Sequence, residues 1–216
     1  MPKPKVFDYT KKLPFRDASL LIIICEGSKR EPDYFRFFDG LSSRIKVIAI
    51  PNESGKGSPV HLMENAKKAE ETFLDAKHTA DQIWLVIDTD RWQEKIHELR
   101  SACKQNSRWN LVQSNPCFEV WLYYHVKTDT PELNDIGACK SWKNLMATII
   151  PGGFNSNIHP IKIEKATKNA KTVYKGDGYT PLPAHTQVWM LAEAFIPFLK
   201  RELDGIKHRI QNPLKN

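Results

Sequence analysis

The 216-residue chain has no apolar run that approaches the roughly 20 residues of a membrane-spanning helix. Its first residues, Met1-Pro2-Lys3-Pro4-Lys5, do not form the apolar segment of a secretory signal peptide. Internal repeats and low-complexity segments are absent, and the apolar and charged fractions are ordinary for a globular protein. These absences argue against a membrane, secreted or disordered protein, and we expect a cytoplasmic globular protein that does not bind membranes.

Cysteine is scarce, and its four positions argue against cysteine-based frameworks. Cys25, Cys103, Cys117 and Cys139 do not stand at zinc-ligand spacing from one another, and disulfides are rare in the cytosol. We therefore expect reduced structural thiols. The spacing of a Walker nucleotide-binding loop is missing as well, so Gly55-Lys56-Gly57-Ser58 is better explained as a turn that caps the next helix.

The net charge of +7 is unevenly distributed along the chain. Residues 1–16, 160–176 and 196–216 each carry five Lys or Arg and few acids, whereas residues 17–159 carry 17 bases and 19 acids. A nearly neutral core with basic flanks suits a polyanion, such as nucleic acid, held near a metal-binding centre. The other interpretation is that these basic residues only solubilise the surface.

Short apolar runs and helical patterns alternate through the first part of the chain. This order is typical of a parallel sheet with helices on both faces. We expect an α/β core over residues 17–126 and a mainly helical, basic extension over residues 127–216. The predicted strands are 19–25, 45–50, 83–87 and 109–113, and the predicted helices are 31–41, 59–77, 93–104, 116–125, 141–150, 161–174 and a last one after Thr186.

Acidic residues follow two of these predicted strands. Glu26 and Gly27 come directly after the first strand, and Asp88-Thr89-Asp90 follows the third. Open α/β sheets bind ligands at the carboxyl ends of their strands, and carboxylates there suit Mg²⁺, with Mn²⁺ as a substitute. Gly27 removes a side chain where a phosphate or metal must approach closely. The alternative is that the acids only cap the helices that follow.

The segment after the fourth predicted strand supplies further candidates. Glu119 falls in the first turn of a helix, where it can reach a second metal ion, position an attacking water, or only stabilise the helix dipole. Asn115 can bind phosphate or cap that helix, Lys29 can contact the scissile phosphate or face solvent, and His125 can be a general base or a structural histidine. Lysines at helical spacing suit contacts with a nucleic-acid backbone: Lys162, Lys165, Lys168 and Lys171.

Three segments together resemble the RloB family. They are Cys25-Glu26-Gly27 with Glu31-Pro32-Asp33-Tyr34-Phe35, then Val86-Ile87-Asp88-Thr89-Asp90, and then Ser114-Asn115-Pro116-Cys117-Phe118-Glu119-Val120-Trp121-Leu122. The resemblance implies a Toprim-like domain, in which Glu26 would be the general acid/base beside the metal and Asp88 and Asp90 would bind magnesium. It also implies a phage-defence effector, often encoded beside an ATPase partner. Arg30 stands where the family commonly has threonine.

The function expected from the sequence is Mg²⁺-dependent hydrolysis of phosphodiesters in RNA or DNA, with transfer RNA among the candidates. Two alternatives stay open: an inert Toprim-like module that binds nucleic acid or a partner, and a nucleotidyl or phosphoryl transferase acting on a small molecule. The expected roles are catalysis by Glu26, Lys29 and Glu119, metal binding by Glu26, Asp88, Asp90 and Glu119, and substrate binding by Gly27, Asn115, Lys162, Lys165, Lys168 and Lys171.

Overall fold

A computed structural model describes residues 18–52, 58–75, 78–89, 92, 95–177 and 179–212. Within these ranges a five-stranded sheet has the order β2-β1-β3-β4-β5, in which the first four strands are parallel and β5 runs antiparallel to β4. The predicted α/β class is confirmed, although the sheet is mixed because of β5. The strands are β1 (Ser19–Cys25), β2 (Ile45–Ile50), β3 (Gln82–Asp88), β4 (Trp109–Asn115) and β5 (His185–Thr186).

Helices surround this sheet and make up most of the extension. In the part of the chain that the structure describes, none of them is both long and apolar enough to cross a membrane. The helices are α1 (Arg30–Arg36), α2 (Pro59–Phe73), α3 (Lys95–Gln105), α4 (Glu119–Tyr123), α5 (Cys139–Ile149), α6 (Ile163–Val173, after a 3-10 turn at His159–Lys162) and α7 (Val188–Gln211).

Strand β1 is buried on both faces. Leu21 and Ile23 belong to a large hydrophobic cluster with α1 and α4 to α7, whereas Leu20 and Ile22 pack with α2 and α3. Continuous apolar runs are typical of strands covered in this way. The large cluster continues through the extension as far as Leu203. The division of the chain at residue 126 stays a prediction.

Helices α1 and α4 are shorter than predicted. Beyond α1 the chain makes tighter three-residue bonds, such as Phe38 N–H to Phe35 O at 3.1 Å, and Gly40 takes a left-handed φ of 73°. After α4, His125 N–H likewise bonds to Leu122 O at 3.2 Å. Both helices therefore end in turns, because the backbone donors that would continue them bond to nearer carbonyls.

His125 ties these two short helices together. Its side chain is fully buried, with Nδ1 3.1 Å from Trp121 O and Nε2 3.0 Å from the Tyr34 hydroxyl. A carbonyl can only accept, so Nδ1 carries the proton and Nε2 accepts from Tyr34. Burial lowers the pKa of His125 to about 3, so the imidazole is neutral near pH 7. His125 is therefore a structural histidine with both nitrogens satisfied.

Candidate active site

Three neighbouring strands deliver acidic residues to one edge of the sheet. Glu26 follows β1, Asp88 ends β3, and Glu119 begins α4 shortly after β4. Because β3 pairs in parallel with both β1 and β4, the carboxyl ends of all three strands lie side by side. The predicted placement of these acids at a common sheet edge is therefore observed.

Glu26 is anchored by two hydrogen bonds, one from the last residue of β3 and one from a side chain that follows this strand. Its Oε2 accepts from the backbone N–H of Asp88 at 2.8 Å, and its Oε1 accepts from the indole N–H of Trp92 at 2.7 Å. Hydrogen bonds to an ionised carboxylate are stronger than neutral ones. The carboxylate thus has a fixed orientation directly beside Asp88. Trp92 is a contributor that sequence reasoning missed.

Glu31 also belongs to this region, although no role was assigned to it from the sequence. It lies in the first turn of α1, and its side chain is only 7% exposed. The carboxyl group rests against the Cα of Gly27, where an added Cβ would lie 2.7 Å from Glu31 Cδ and closer still to Oε2. A glycine directly after a strand-ending glutamate signals close approach, and the approaching group is this second carboxyl.

These four residues, Glu26, Glu31, Asp88 and Glu119, are called the acidic cluster below. Burial raises the pKa of Asp88 well above its ordinary value, and the negative charges of Glu31, Glu26 and Glu119 raise it further. The pKa of Glu31 is also raised, first by burial and then by Glu119. Like charges that shift one another in this way form a centre of negative potential with too little positive charge to balance it.

The chemistry of the acidic cluster suits a hard divalent cation. All its members offer carboxylate oxygens, the ligands that Mg²⁺ and Mn²⁺ prefer, and Arg30 and Lys143 oppose the rise in the pKa of Glu31 without abolishing it. Across the described ranges, however, no three His, Cys, Asp or Glu side chains already stand in ligating positions. Asp90 lies outside the described residues, so the four-residue ligand set expected from the sequence stays a prediction.

Two other predicted site residues, Lys29 and Asn115, make hydrogen bonds to neighbouring parts of the chain. Lys29 is exposed just before α1, and its carbonyl accepts from Asp33 N–H at 2.9 Å. The side-chain amide of Asn115 donates to Pro181 O at 2.8 Å, and its backbone carbonyl accepts from Ala184 N–H at 2.8 Å. Asn115 therefore holds the segment that leads into β5, and its role in phosphate binding stays a prediction.

The predicted basic stripe lies on α6 and the turn before it. The lysine face, defined as Lys162, Lys165, Lys168 and Lys171, is exposed throughout, whereas the opposite side of α6 is buried. Lys171 forms an ion pair with Glu193 at 2.7 Å and lies 5.0 Å from the centre of the Trp189 ring. Three lysines of the face are therefore better placed than Lys171 for an external partner.

Gly27→Ala is expected to destabilise the protein by about 1 to 3 kcal/mol, the usual effect of overpacking, because the new methyl group would displace the buried Glu31 carboxyl. Gly205→Ala is the matched control, since an added Cβ there meets nothing within 4 Å and should stabilise α7 by up to about 1 kcal/mol. Urea unfolding measures both effects. Equal stability of the two variants would show that Glu31 is free to move.

A family model described as RloB-like protein matches residues 21–195 of the chain. The matched region includes the whole acidic cluster and the lysine face. No curated protein and no solved structure matches the chain.

Proposed function

Because the chain belongs to the RloB-like protein family, we propose that it is a Mg²⁺-dependent nuclease with a Toprim-like core, acting on RNA or DNA as an antiphage effector. The observation that carries this proposal is the convergence of the acidic cluster on the carboxyl ends of three neighbouring strands. Metal-dependent phosphodiester hydrolysis uses carboxylates of this kind to hold a cation at the phosphate. An ATPase partner encoded nearby would belong to the same defence system.

Metal binding and proton transfer are assigned to different acidic residues. Asp88 and Asp90, with Glu119, would hold a metal ion, which would neutralise negative charge on the phosphate oxygens. Glu26 moves a proton to or from a reacting oxygen, and its bonds to Asp88 N–H and Trp92 N–H keep it oriented for that step. Glu31 adds to the negative potential at Asp88, which favours binding of a cation.

Metal binding and product analysis test this function directly. Calorimetric titration with Mn²⁺ is expected to show binding, and incubation of RNA and DNA with Mg²⁺ is expected to give cleaved ends that disappear on chelation. Absence of metal binding would favour the inert module. Modified nucleotides in place of cleaved polymers would favour the transferase, and a panel of nucleotides reveals them.

Substrate identity is best determined in cells. Sequencing of RNA and DNA ends after induction, with Glu26→Gln as the inactive comparison, should show new ends in one class of nucleic acid only. Transfer RNA ends would identify transfer RNA as the target. An identical end profile for both proteins would contradict the nuclease proposal.

Charge reversal on the lysine face should weaken nucleic-acid binding and reduce its salt dependence. Lys165 and Lys168 are exposed on α6, and each lost phosphate contact lowers the slope of log K against log [salt] by roughly 0.7 to 0.9. The matched control reverses Lys67 and Lys68, which are exposed on α2 at the other face of the sheet. Equal slopes for the two double variants, by fluorescence anisotropy, would exclude the lysine face as the binding surface.

A further inference from the structure

Thr89, the residue between Asp88 and Asp90 in the sequence, is hydrogen-bonded to the end of β4. It is 5% exposed, and its backbone N–H bonds to Ser114 O at 2.9 Å and Pro116 O at 3.1 Å. Its hydroxyl donates to Ser114 O at 2.9 Å. Backbone and side chain are thus both held by the neighbouring strand, at the point where the chain passes from one acid to the next.

The remaining acceptor capacity of this hydroxyl is used by Gln113. The Gln113 side-chain amide, on a residue 1% exposed, donates to Thr89 Oγ1 at 2.7 Å. Its carbonyl oxygen accepts from Arg100 Nη2 at 2.8 Å. Because a guanidinium can only donate, Arg100 determines which way the Gln113 amide faces. The three side chains therefore form a directional chain that runs from α3 through β4 to Thr89.

The middle and outer residues of this chain, Gln113 and Arg100, both interact with the extension. The backbone carbonyl of Gln113 accepts from Gln187 N–H at 2.8 Å, and the charge of Asp177 acts on the Arg100 guanidinium. A buried polar chain costs desolvation that apolar side chains would avoid. Such a chain can hold one residue in a single orientation. Its inner end is Thr89, the residue directly after the proposed metal ligand Asp88.

We propose that Gln113 and Arg100 are positioning residues, which hold Thr89 and thereby fix Asp88, the residue before it, for binding a divalent cation. This inference rests on the proposed function and deepens it. Neither residue touches the substrate or the metal. Their effect reaches the cation only through Thr89, as is general for groups that orient metal ligands.

Gln113→Leu is the main test, with Gln82→Leu as the matched control in the same sheet. Gln82 lies at the start of β3 and accepts from the Trp84 indole N–H. In Gln113→Leu we expect about tenfold or more weaker Mn²⁺ affinity by calorimetry, a lower kcat and an unchanged KM for nucleic acid. The control should keep wild-type values for all three.

A second pair of variants keeps the test decisive if Gln113→Leu folds poorly. Thr89→Ser keeps the hydroxyl and should bind Mn²⁺ with wild-type affinity. Thr89→Val lacks the hydroxyl and should bind Mn²⁺ as weakly as Gln113→Leu. Hydrogen exchange supplies a readout independent of activity. The Thr89 amide should exchange about tenfold faster in Gln113→Leu, with exchange in β1 unchanged.

The outcomes separate this inference from the proposed function. If wild-type protein binds Mn²⁺ and Gln113→Leu binds it equally well with equal amide protection, the positioning role is wrong while the function stands. If wild-type protein binds no metal, the function fails, and exchange at Thr89 alone then decides whether Gln113 holds the turn.

Discussion

Replacing Glu26 by glutamine is expected to lower the cleavage rate by about 10² to 10⁴-fold, the usual contribution of a positioned general acid or base. The amide that replaces the carboxylate cannot exchange a proton near neutral pH. It also cannot accept from both Asp88 N–H and Trp92 N–H, because its NH₂ group would face one of these donors. A single-turnover assay with saturating Mg²⁺ measures the loss.

The stability of Glu26→Gln must be followed alongside its activity. One unsatisfied donor costs about 1 to 3 kcal/mol, which urea unfolding detects and which is too small to unfold a typical domain. Glu71→Gln, on the exposed face of α2, has the same charge change and should retain full activity. A Glu26→Gln protein that cleaves at the wild-type rate would remove Glu26 from the catalytic assignment.

Asp88→Asn is expected to change activity and metal-free stability in opposite directions. Loss of a metal ligand removes several kcal/mol of transition-state stabilisation, which corresponds to about a hundredfold or more in rate. The same substitution removes a partly buried carboxyl group whose pKa is raised by burial and by the negative charges of Glu31, Glu26 and Glu119. In the presence of a chelator at neutral pH, the variant should therefore be more stable than the wild-type protein.

The pH dependence of this difference follows from proton linkage. Folded Asp88 has a raised pKa, so it keeps its proton at pH values where the unfolded side chain, with a pKa of about 3.9, has lost it. Its contribution to stability is fully present below about pH 3.9 and declines as pH rises to the folded pKa. The excess melting temperature of Asp88→Asn over wild type should therefore grow as the pH rises above about 3.9 and level off above the folded pKa.

Divalent metal should reverse this order, since it binds the ionised carboxylates of the wild-type protein only in the folded state. Thermal unfolding with and without Mn²⁺, at several pH values, measures the reversal. Asp129→Asn is the matched control, because Asp129 is exposed, and it should follow the wild-type curve. A constant difference between wild type and Asp88→Asn at all pH values would contradict the raised pKa.

The core of the fold could be predicted because its central strands, β1 and β3, are continuous apolar runs buried on both faces. Strands β1 and β2 occupy the predicted residues, and β3 and β4 extend only one or two residues further. The strand β5 was missed because His185-Thr186 has no apolar pattern of its own. It forms through pairing with the end of β4, supported by the contact between the Ser114 and Thr186 hydroxyls at 2.8 Å.

Three members of the acidic cluster could be predicted because they stand after strands. Glu26 and Asp88 directly follow predicted strands, and Glu119 follows the fourth strand in the first turn of the next helix. Glu31 was missed because a glutamate in the first turn of a helix is ordinarily explained by the helix dipole. Its contact with Gly27 depends on how α1 folds back over β1, which sequence periodicity does not specify. Trp92 was missed for the same reason, because its bond to Glu26 spans 66 positions.

Helix α6 has one face that packs in the core and an opposite face that is open to a ligand. Ile163, Ala166 and Ala170 lie in the same hydrophobic cluster as Leu21 of the first strand and Leu203 of the last helix. The extension and the sheet thus share one hydrophobic core. Removing the extension would expose the apolar side chains that it covers. The exposed lysines of α6 do not contribute to this hydrophobic cluster. Evolution can alter which polyanion this surface attracts by changing a few solvent-facing positions, with no cost to the shared core.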